Sequence, residues 1–400
     1  MSRYDVIVVG ARCAGSPTAM LLARKGYRVL VVDRAAFPSD TLSTHMIHAP
    51  GVAALRRWGL LDALLATGCP PASTYSLDVG PFVVTGKPRT ADGRPEGYAP
   101  RRTVLDAILV DGARAAGAEV RELFTVEELL VDDDRVVGIR GRDAGGSTSD
   151  ETARVVVGAD GRSSRVARAV QPEEYHQTPK LEVSYFTYWS GLPCKGFETY
   201  MRDRAGWAAV PTNDGLTMVV VGRPAASAQA IKADIERTYL ATFEQAPAFA
   251  ERIRAATRVE RFQGAAVEGW FRTPFGPGWA LVGDAGYNKD PITAMGITDA
   301  FRDAELLADG LDAALSGRQP FDDAMRAYQE TRDAHALPVY AMTNDIAMLT
   351  PPDPQAAALL AAVARDQQAS DDFMGVQAGA VSPAEFFAPE NVDRIMAAAG

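Results

Sequence analysis

The chain has 400 residues, 47% hydrophobic and 23% charged, a globular composition with length for two or three structural units. Its 41 basic and 51 acidic residues leave a net charge of −10 without a concentrated basic face, which argues against nucleic acid or anionic lipid as a partner. Apolar stretches are short and broken by charge, so none approaches the roughly 18 residues of a membrane span.

Residues Tyr4 to Val9 form a β-branched run, as expected of a buried parallel strand, and leave no room for a signal peptide. The loop Gly10-Ala11-Arg12-Cys13-Ala14-Gly15 follows and opens a helical pattern through Arg24. Pro17 falls in the first turn, where a missing N–H costs nothing, and Gly26 is placed to end the helix in a left-handed conformation. A second strand, Val29 to Val32, ends at Asp33, 23 positions after Gly10. Strand, glycine turn, helix, strand and acid in this order predict a βαβ nucleotide-binding unit. Gly10 permits the turn, and Gly15 lets helix and strand pack closely. The helix N-terminus offers free N–H groups to a pyrophosphate, and Asp33 can take the hydroxyls of an adenosine ribose. Arg12 stands where the second glycine is expected, so its side chain must point away or add its guanidinium to the phosphate amides. On this loop alone, NAD and S-adenosylmethionine compete as the ligand.

Further along, Ser73 to Lys87 has strand character and is expected to leave the nucleotide domain. Ala153 to Gly158 is another apolar strand, running into Ala159, Asp160, Gly161 and a helix start at Ser163 and Ser164. In Lys180 to Pro193, alternation puts Val183, Tyr185, Thr187 and Trp189 on one strand face and Phe186 and Tyr188 on the other. A hairpin is expected at Asn213, Asp214 and Gly215, then helix over Ser227 to Thr257 and a returning strand from Arg258 to Phe271. A third strand ends at Gly283 and Asp284, and Pro291 and Gly296 precede a long helix. Junctions at 10, 160 and 283 are therefore expected at one sheet edge. Gly317 and Pro320 separate two long helices, Pro338 interrupts or kinks the second, and Thr350 to Gln355 is a rigid break. The Ala-rich remainder reads as short helices, available to cap a substrate pocket or to pack on a second subunit. Cys13, Cys69 and Cys194 are scattered, which points to a reducing cytoplasm. His45 and His48 lack the carboxylate or thiol partners of a metal site, so no metal is expected.

These three motifs, in this order and spacing, resemble the FAD-dependent monooxygenases of the p-hydroxybenzoate hydroxylase type, a superfamily shared with geranylgeranyl reductases and flavin halogenases. The resemblance covers about residues 1 to 345 and implies FAD as cofactor. It implies an α/β fold: a Rossmann-type FAD-binding domain from 1–72, 96–178 and 272–345, a β-sheet substrate domain from 73–95 and 179–271, and a helical C-terminal segment from 346–400. It places Gly10, Ala11, Arg12, Ala14 and Gly15 at the pyrophosphate, Asp33 and Arg34 at the adenosine ribose, and Val126 beside the adenine. Arg102 falls to the pyrophosphate or ribityl chain, and Asp160 steadies the region and influences pyridine nucleotide binding. Gly283 and Asp284 fall to the ribityl hydroxyls, and the turn from Ala294 through Met295, Gly296 and Ile297 to the flavin N1 and C2 carbonyl. Thr44 and His45 would neighbour the isoalloxazine.

The chain departs from that pattern at Tyr287, where a histidine is usual, at Thr298, where an asparagine is common, and at Ala294, where glycine is usual. The Trp-x-Trp-x-Ile-Pro signature of tryptophan halogenases is absent. The implied activity is an NADH- or NADPH-dependent monooxygenase that uses O2, through a flavin C4a-hydroperoxide, on an apolar or aromatic small molecule. The alternatives are a reductase that saturates a C=C bond and a non-catalytic FAD-binding protein. His45, Tyr287 and Pro291 are the candidate catalytic positions, and Tyr185, Tyr188, Trp189 and Trp207 the candidate substrate-pocket residues.

Overall fold

The computed structural model describes residues 3–88, 90 and 93–399; the ends of the expected segments at 1–2 and 400, and positions 89, 91 and 92, lie outside the described residues. The apolar runs found in the sequence form the centre of one sheet. Its strand order is Phe275–Gly276, Trp279–Leu281, Thr148–Gly158, Tyr4–Val9, Val29–Val32 and Glu119–Arg121, parallel except for the antiparallel first pair. Tyr4–Val9 and Val29–Val32 are buried almost throughout, because helices cover one face and an antiparallel ribbon, Thr125–Asp132 with Arg135–Arg142, flanks the other. The helices Gly15–Arg24, Arg102–Ala115 and Gly296–Leu315 share a core with Val6, Val8, Val29 and Val31.

A second sheet is largely antiparallel, with Glu182–Ser190, Leu216–Pro224, Ala205–Pro211 and Phe197–Arg202 in adjacent positions. Tyr75–Asp78 joins it in parallel and pairs with Val83–Gly86, so the strand-like stretch from Ser73 to Lys87 is a hairpin. Asp214, at φ +63°, turns the expected hairpin between Ala205–Pro211 and Leu216–Pro224. One face of this sheet packs under Ala228–Ala233, Ile235–Phe243 and Pro247–Arg254. The other face packs against the C-terminal helices, including Pro354–Val363 and Gln367–Gln377.

Two expectations change. The returning strand from Arg258 to Phe271 is divided: Gln263–Ala265 stays in the second sheet, whereas Gly269–Arg272 pairs with Glu174–Thr178 and Tyr287–Asn288. Glycine allows the crossing, since a Cβ on Gly269 would lie 2.4 Å from both Thr178 Oγ1 and the Tyr340 hydroxyl. Pro338 does not interrupt the helix Phe321–Ala347. Anchors hold both sides of it: fully buried Arg332 donates to the Arg272 carbonyl at 3.1 Å and to the Tyr175 hydroxyl at 2.7 Å, and the Tyr340 hydroxyl donates to the His176 carbonyl at 2.7 Å. Tertiary contacts thus outweigh the missing N–H. Among the described residues, no helix is long and apolar enough to cross a membrane.

Candidate functional site

Strand register brings the three glycine-acid junctions together. Val9 pairs with Gly158, and Gly158 with Leu281, so the three strands end side by side. Their turns open onto a cleft of about 680 Å³ whose walls include Gly10, Asp33, Asp160 and Asp284. Gly10 has φ +102°, and a Cβ on it would lie 2.5 Å from the Ala159 carbonyl oxygen. A Cβ on Gly15 would lie 1.8 Å from the Gly10 carbonyl oxygen. Strand and helix meet backbone to backbone here, with no space for a side chain. The helix Gly15–Arg24 has no side-chain cap and no acid in its first turn. Instead, the Ser16 and Thr18 hydroxyls donate to the Ala11 and Ala14 carbonyls at 2.7 and 2.8 Å. The helix start, with Ala14 in the cleft wall, thus faces the cleft without a competing side-chain acceptor, as an anion site requires.

Arg12 lines the cleft while its guanidinium is held by neighbours in the wall. Its guanidinium is paired with Asp106 at 2.5 Å, donates to Ser39 Oγ at 2.9 Å and lies over the Phe37 ring, so its charge is directed into the wall. Arg102 binds the same carboxylate through two N–H groups, at 3.0 and 3.1 Å. Asp106 is fully buried, and the four-residue spacing from Arg102 was a helical ion-pair signal that sequence reasoning passed over. The carboxylate of Asp33 accepts the N–H of Ala11 and of Ala35, each at 2.8 Å, and so locks the turn. Asp160 accepts the Ser164 hydroxyl and the Arg165 N–H at 2.5 and 2.6 Å, fixing the start of the helix Arg165–Val170. Asp284 opens into the cleft, whose walls desolvate it and raise its carboxyl above the usual range, opposed by Arg102.

Arg34, Thr44, Val126, Gly283, Gly296 and Ile297 also line the cleft. Ala11, Gly15 and Met295 lie behind that lining: Ala11 holds Asp33, Gly15 packs on Gly10, and the Met295 side chain turns toward Gly379. The helix Gly296–Leu315 has no side-chain cap, and the acid in its first turn, Asp299, is neutralised by Lys289 and Arg302. Ala294 sits at φ +53°, the left-handed conformation that favours the glycine usual at this position.

A second, mainly apolar cavity of about 610 Å³ lies between the second sheet and the C-terminal helices. Thr44, Ser184, Val220, Pro291 and Ala294 line both spaces, so the cavity meets the cleft at the Pro291–Ala294 turn. The C-terminal segment therefore caps this cavity, through residues such as Leu360, Phe373 and Phe386.

The aromatic pocket residues expected from the sequence need correction. Tyr185 and Trp189 point to the opposite sheet face, into the core under the helices 228–254. Trp207 packs in that same core, stacked on Tyr200 at 4.8 Å, but does line the cavity, as expected. Tyr188 is on the correct face but is engaged by His45 and by Arg101, 4.0 Å over its ring. Aromatic bulk was a poor guide; strand parity was the useful one. The cavity is lined by the alternate positions Glu182 and Ser184, with Met218 and Val220 of the neighbouring strand.

Of the candidate catalytic positions, Pro291 lines both spaces. His45 is fully buried and bonds Tyr188 through Nε2; burial, reinforced by Arg102 and Arg101, pushes it down to about 3, so it is neutral at ordinary pH. Tyr287 lines the cleft with its ring stacked on Phe271, and its hydroxyl accepts from Arg302 at 3.0 Å.

The family model described as "FAD binding domain" matches residues 3–343. The chain belongs to the FAD binding domain family. This flavoprotein is 27% identical over 345 residues to a digeranylgeranylglycerophospholipid reductase of Methanothrix thermoacetophila, covering 82% of each chain. Among solved structures it is similar to a myxobacterial chondrochloren halogenase, with TM-score 0.78 and 23% identity over 99% of this chain and 96% of that one. It is also similar to a probable FAD-dependent monooxygenase from Pseudomonas aeruginosa, with TM-score 0.73 and 23% identity over 93% of this chain and 99% of that one. The flavoprotein is an FAD-dependent oxidoreductase with a Rossmann-type α/β fold and a helical C-terminus. The glycine cradle and the uncapped helix end fit a pyrophosphate, the acids fit hydroxyl-bearing ribose and ribityl groups, and the apolar cavity fits a substrate.

Proposed function

We propose that this flavoprotein is a monooxygenase that takes electrons from NADH or NADPH and inserts one oxygen atom of O2 into an apolar or aromatic small molecule. The observation that carries the reading is the capped apolar cavity joined to the cleft at Ala294. An oxygen-activating flavin requires a site from which water is excluded, and the helices that line this cavity would contribute to such a cover. Bound FAD would supply hydride acceptance and oxygen activation. The helix start at Ala14 would hold its pyrophosphate, with Arg102 beside it. Asp33 would hold the adenosine ribose, Val126 would lie by the adenine, and Asp284 would face the ribityl hydroxyls. The N-terminal dipole at Gly296 and Ile297 would favour negative charge on the reduced ring. Arg12, committed to Asp106, would stand in the cleft wall beside this site.

A second reading has its own support. Several curated relatives of 26–28% identity are digeranylgeranylglycerophospholipid reductases, which favours reduction of a C=C bond in the same cavity. Stopped-flow absorbance separates the readings. The protein is reduced anaerobically by NADPH or NADH and then mixed with oxygenated buffer in the presence of apolar ligands. Monooxygenase action predicts a transient species whose spectrum is neither reduced nor oxidised flavin. Direct reoxidation without it supports the reductase, and failure of both nucleotides to reduce the flavin contradicts both enzymes.

A further inference from the structure

Two carboxyl groups that the proposed reaction leaves unused stand where the apolar cavity adjoins the cleft. Glu182 is 1% exposed yet lines the cavity, and Asp290, 4% exposed, lines the adjoining cleft. Ser184 donates to Glu182 Oε1, and the Ile292 N–H donates to Asp290 Oδ1 at 3.0 Å. The remaining oxygens, Glu182 Oε2 and Asp290 Oδ2, have no donor of their own. A Cβ on Gly222 would lie 2.0 Å from Glu182 Oε2, so a side chain there would displace this carboxyl from its position on the sheet.

Two neighbouring carboxylates cannot both stay ionised in an apolar wall. Burial and the neighbouring Asp290 raise Glu182 well above the usual range, and burial pushes Asp290 up to about 6. Glu182 therefore holds the proton at neutral pH. Among the described residues, no cation relieves it. Lys289 is committed to Asp299, and Arg223, paired in register with Val183, belongs to the opposite sheet face. Asp345, from the helix Phe321–Ala347, adds a second acid to the cavity lining. Among the described residues, that lining contains no lysine, arginine or histidine.

We propose that this cavity selects an uncharged apolar ligand bearing one carbonyl or hydroxyl oxygen, seated against Glu182, and rejects carboxylates and phosphates of the same shape. The inference rests on the reading of this cavity as the substrate site. The protonated carboxyl offers a hydrogen bond to a neutral acceptor. An anion would meet Asp345 with no counter-charge in the lining, in a wall that has already removed its water.

The test is calorimetric titration of the FAD-loaded protein at pH 7.5 with three probes on one skeleton: 2-acetylnaphthalene, 2-naphthoate and 2-naphthylmethylamine. The ketone is expected to bind at least tenfold more tightly than either charged probe. Its affinity should fall about tenfold in Glu182→Leu and be largely retained in Glu182→Gln, which still donates. Equal or tighter binding of the carboxylate or the amine by the wild-type protein overturns the inference while leaving the cavity as the ligand site. Binding of none of the three overturns the cavity reading and the inference with it.

Discussion

Gly15→Ala is expected to yield a colourless protein whose affinity for FAD is at least about a hundredfold lower. The new Cβ would lie 1.8 Å from the Gly10 carbonyl oxygen, 2.9 Å from its carbon and 3.1 Å from the Ala159 Cβ. Two of these atoms are backbone, so no flexible side chain can move aside. Gly10 cannot retreat either, because it is itself packed on Ala159. The helix must therefore shift away from the strand, and its terminal N–H groups leave the phosphate position. A loss of about 3 kcal/mol, at the upper end for overpacking, corresponds to roughly a hundredfold in affinity. Fluorescence titration with FAD, alongside circular dichroism to establish folding, reads the effect. Gly26→Ala is the control: that glycine is at φ +90° but in open space, so it should cost stability by about 1 kcal/mol and leave FAD affinity unchanged. A yellow Gly15→Ala protein of ordinary affinity would contradict the assignment of this turn.

The second large effect is expected at Arg102. Its guanidinium makes two hydrogen bonds to Asp106, whose side chain is wholly buried and shared with Arg12. Arg102→Met would leave the carboxylate with the Cys13 thiol and one cation, Arg12, whose own side chain is 24% exposed. Breaking a buried ion pair on one side costs about 3–5 kcal/mol, and that loss should appear in urea unfolding of the FAD-free protein. Arg12→Met should cost less, because water can replace part of what Arg12 supplies. FAD affinity should also fall in Arg102→Met, since Arg102 lines the cleft and its charge acts on Asp284. Unfolding free energy within about 1 kcal/mol of wild type would remove Arg102 from this role.

Much of the nucleotide half was legible because its constraints are local. A buried parallel strand requires β-branched residues, a backbone-to-backbone crossing requires Gly10 and Gly15, and a helix facing an anion requires an uncapped start. Each of these leaves a mark within a few residues. The convergence of the 10, 160 and 283 junctions followed from strands that end in the same way, and the register bears it out. The substrate half was less legible because its decisive feature is non-local. Which face of Glu182–Ser190 looks into the cavity depends on what covers the other face, and that cover is supplied by the helices 228–254. Glu182 itself was visible as an acid alternating with Ser184 and Phe186, but its meaning required Asp290, more than a hundred residues away in the chain. Arg12 was legible as an anomaly, and only its contact with Asp106 shows why the loop accommodates it.

The most direct test of the central claim is to purify the protein, denature it, and identify and count the released flavin, then add NADPH or NADH anaerobically to the native sample. The account predicts one FAD per chain, and bleaching of its visible absorbance by at least one of the two nucleotides. A colourless protein that takes up no added FAD, or bound FAD that neither nucleotide reduces, would contradict it.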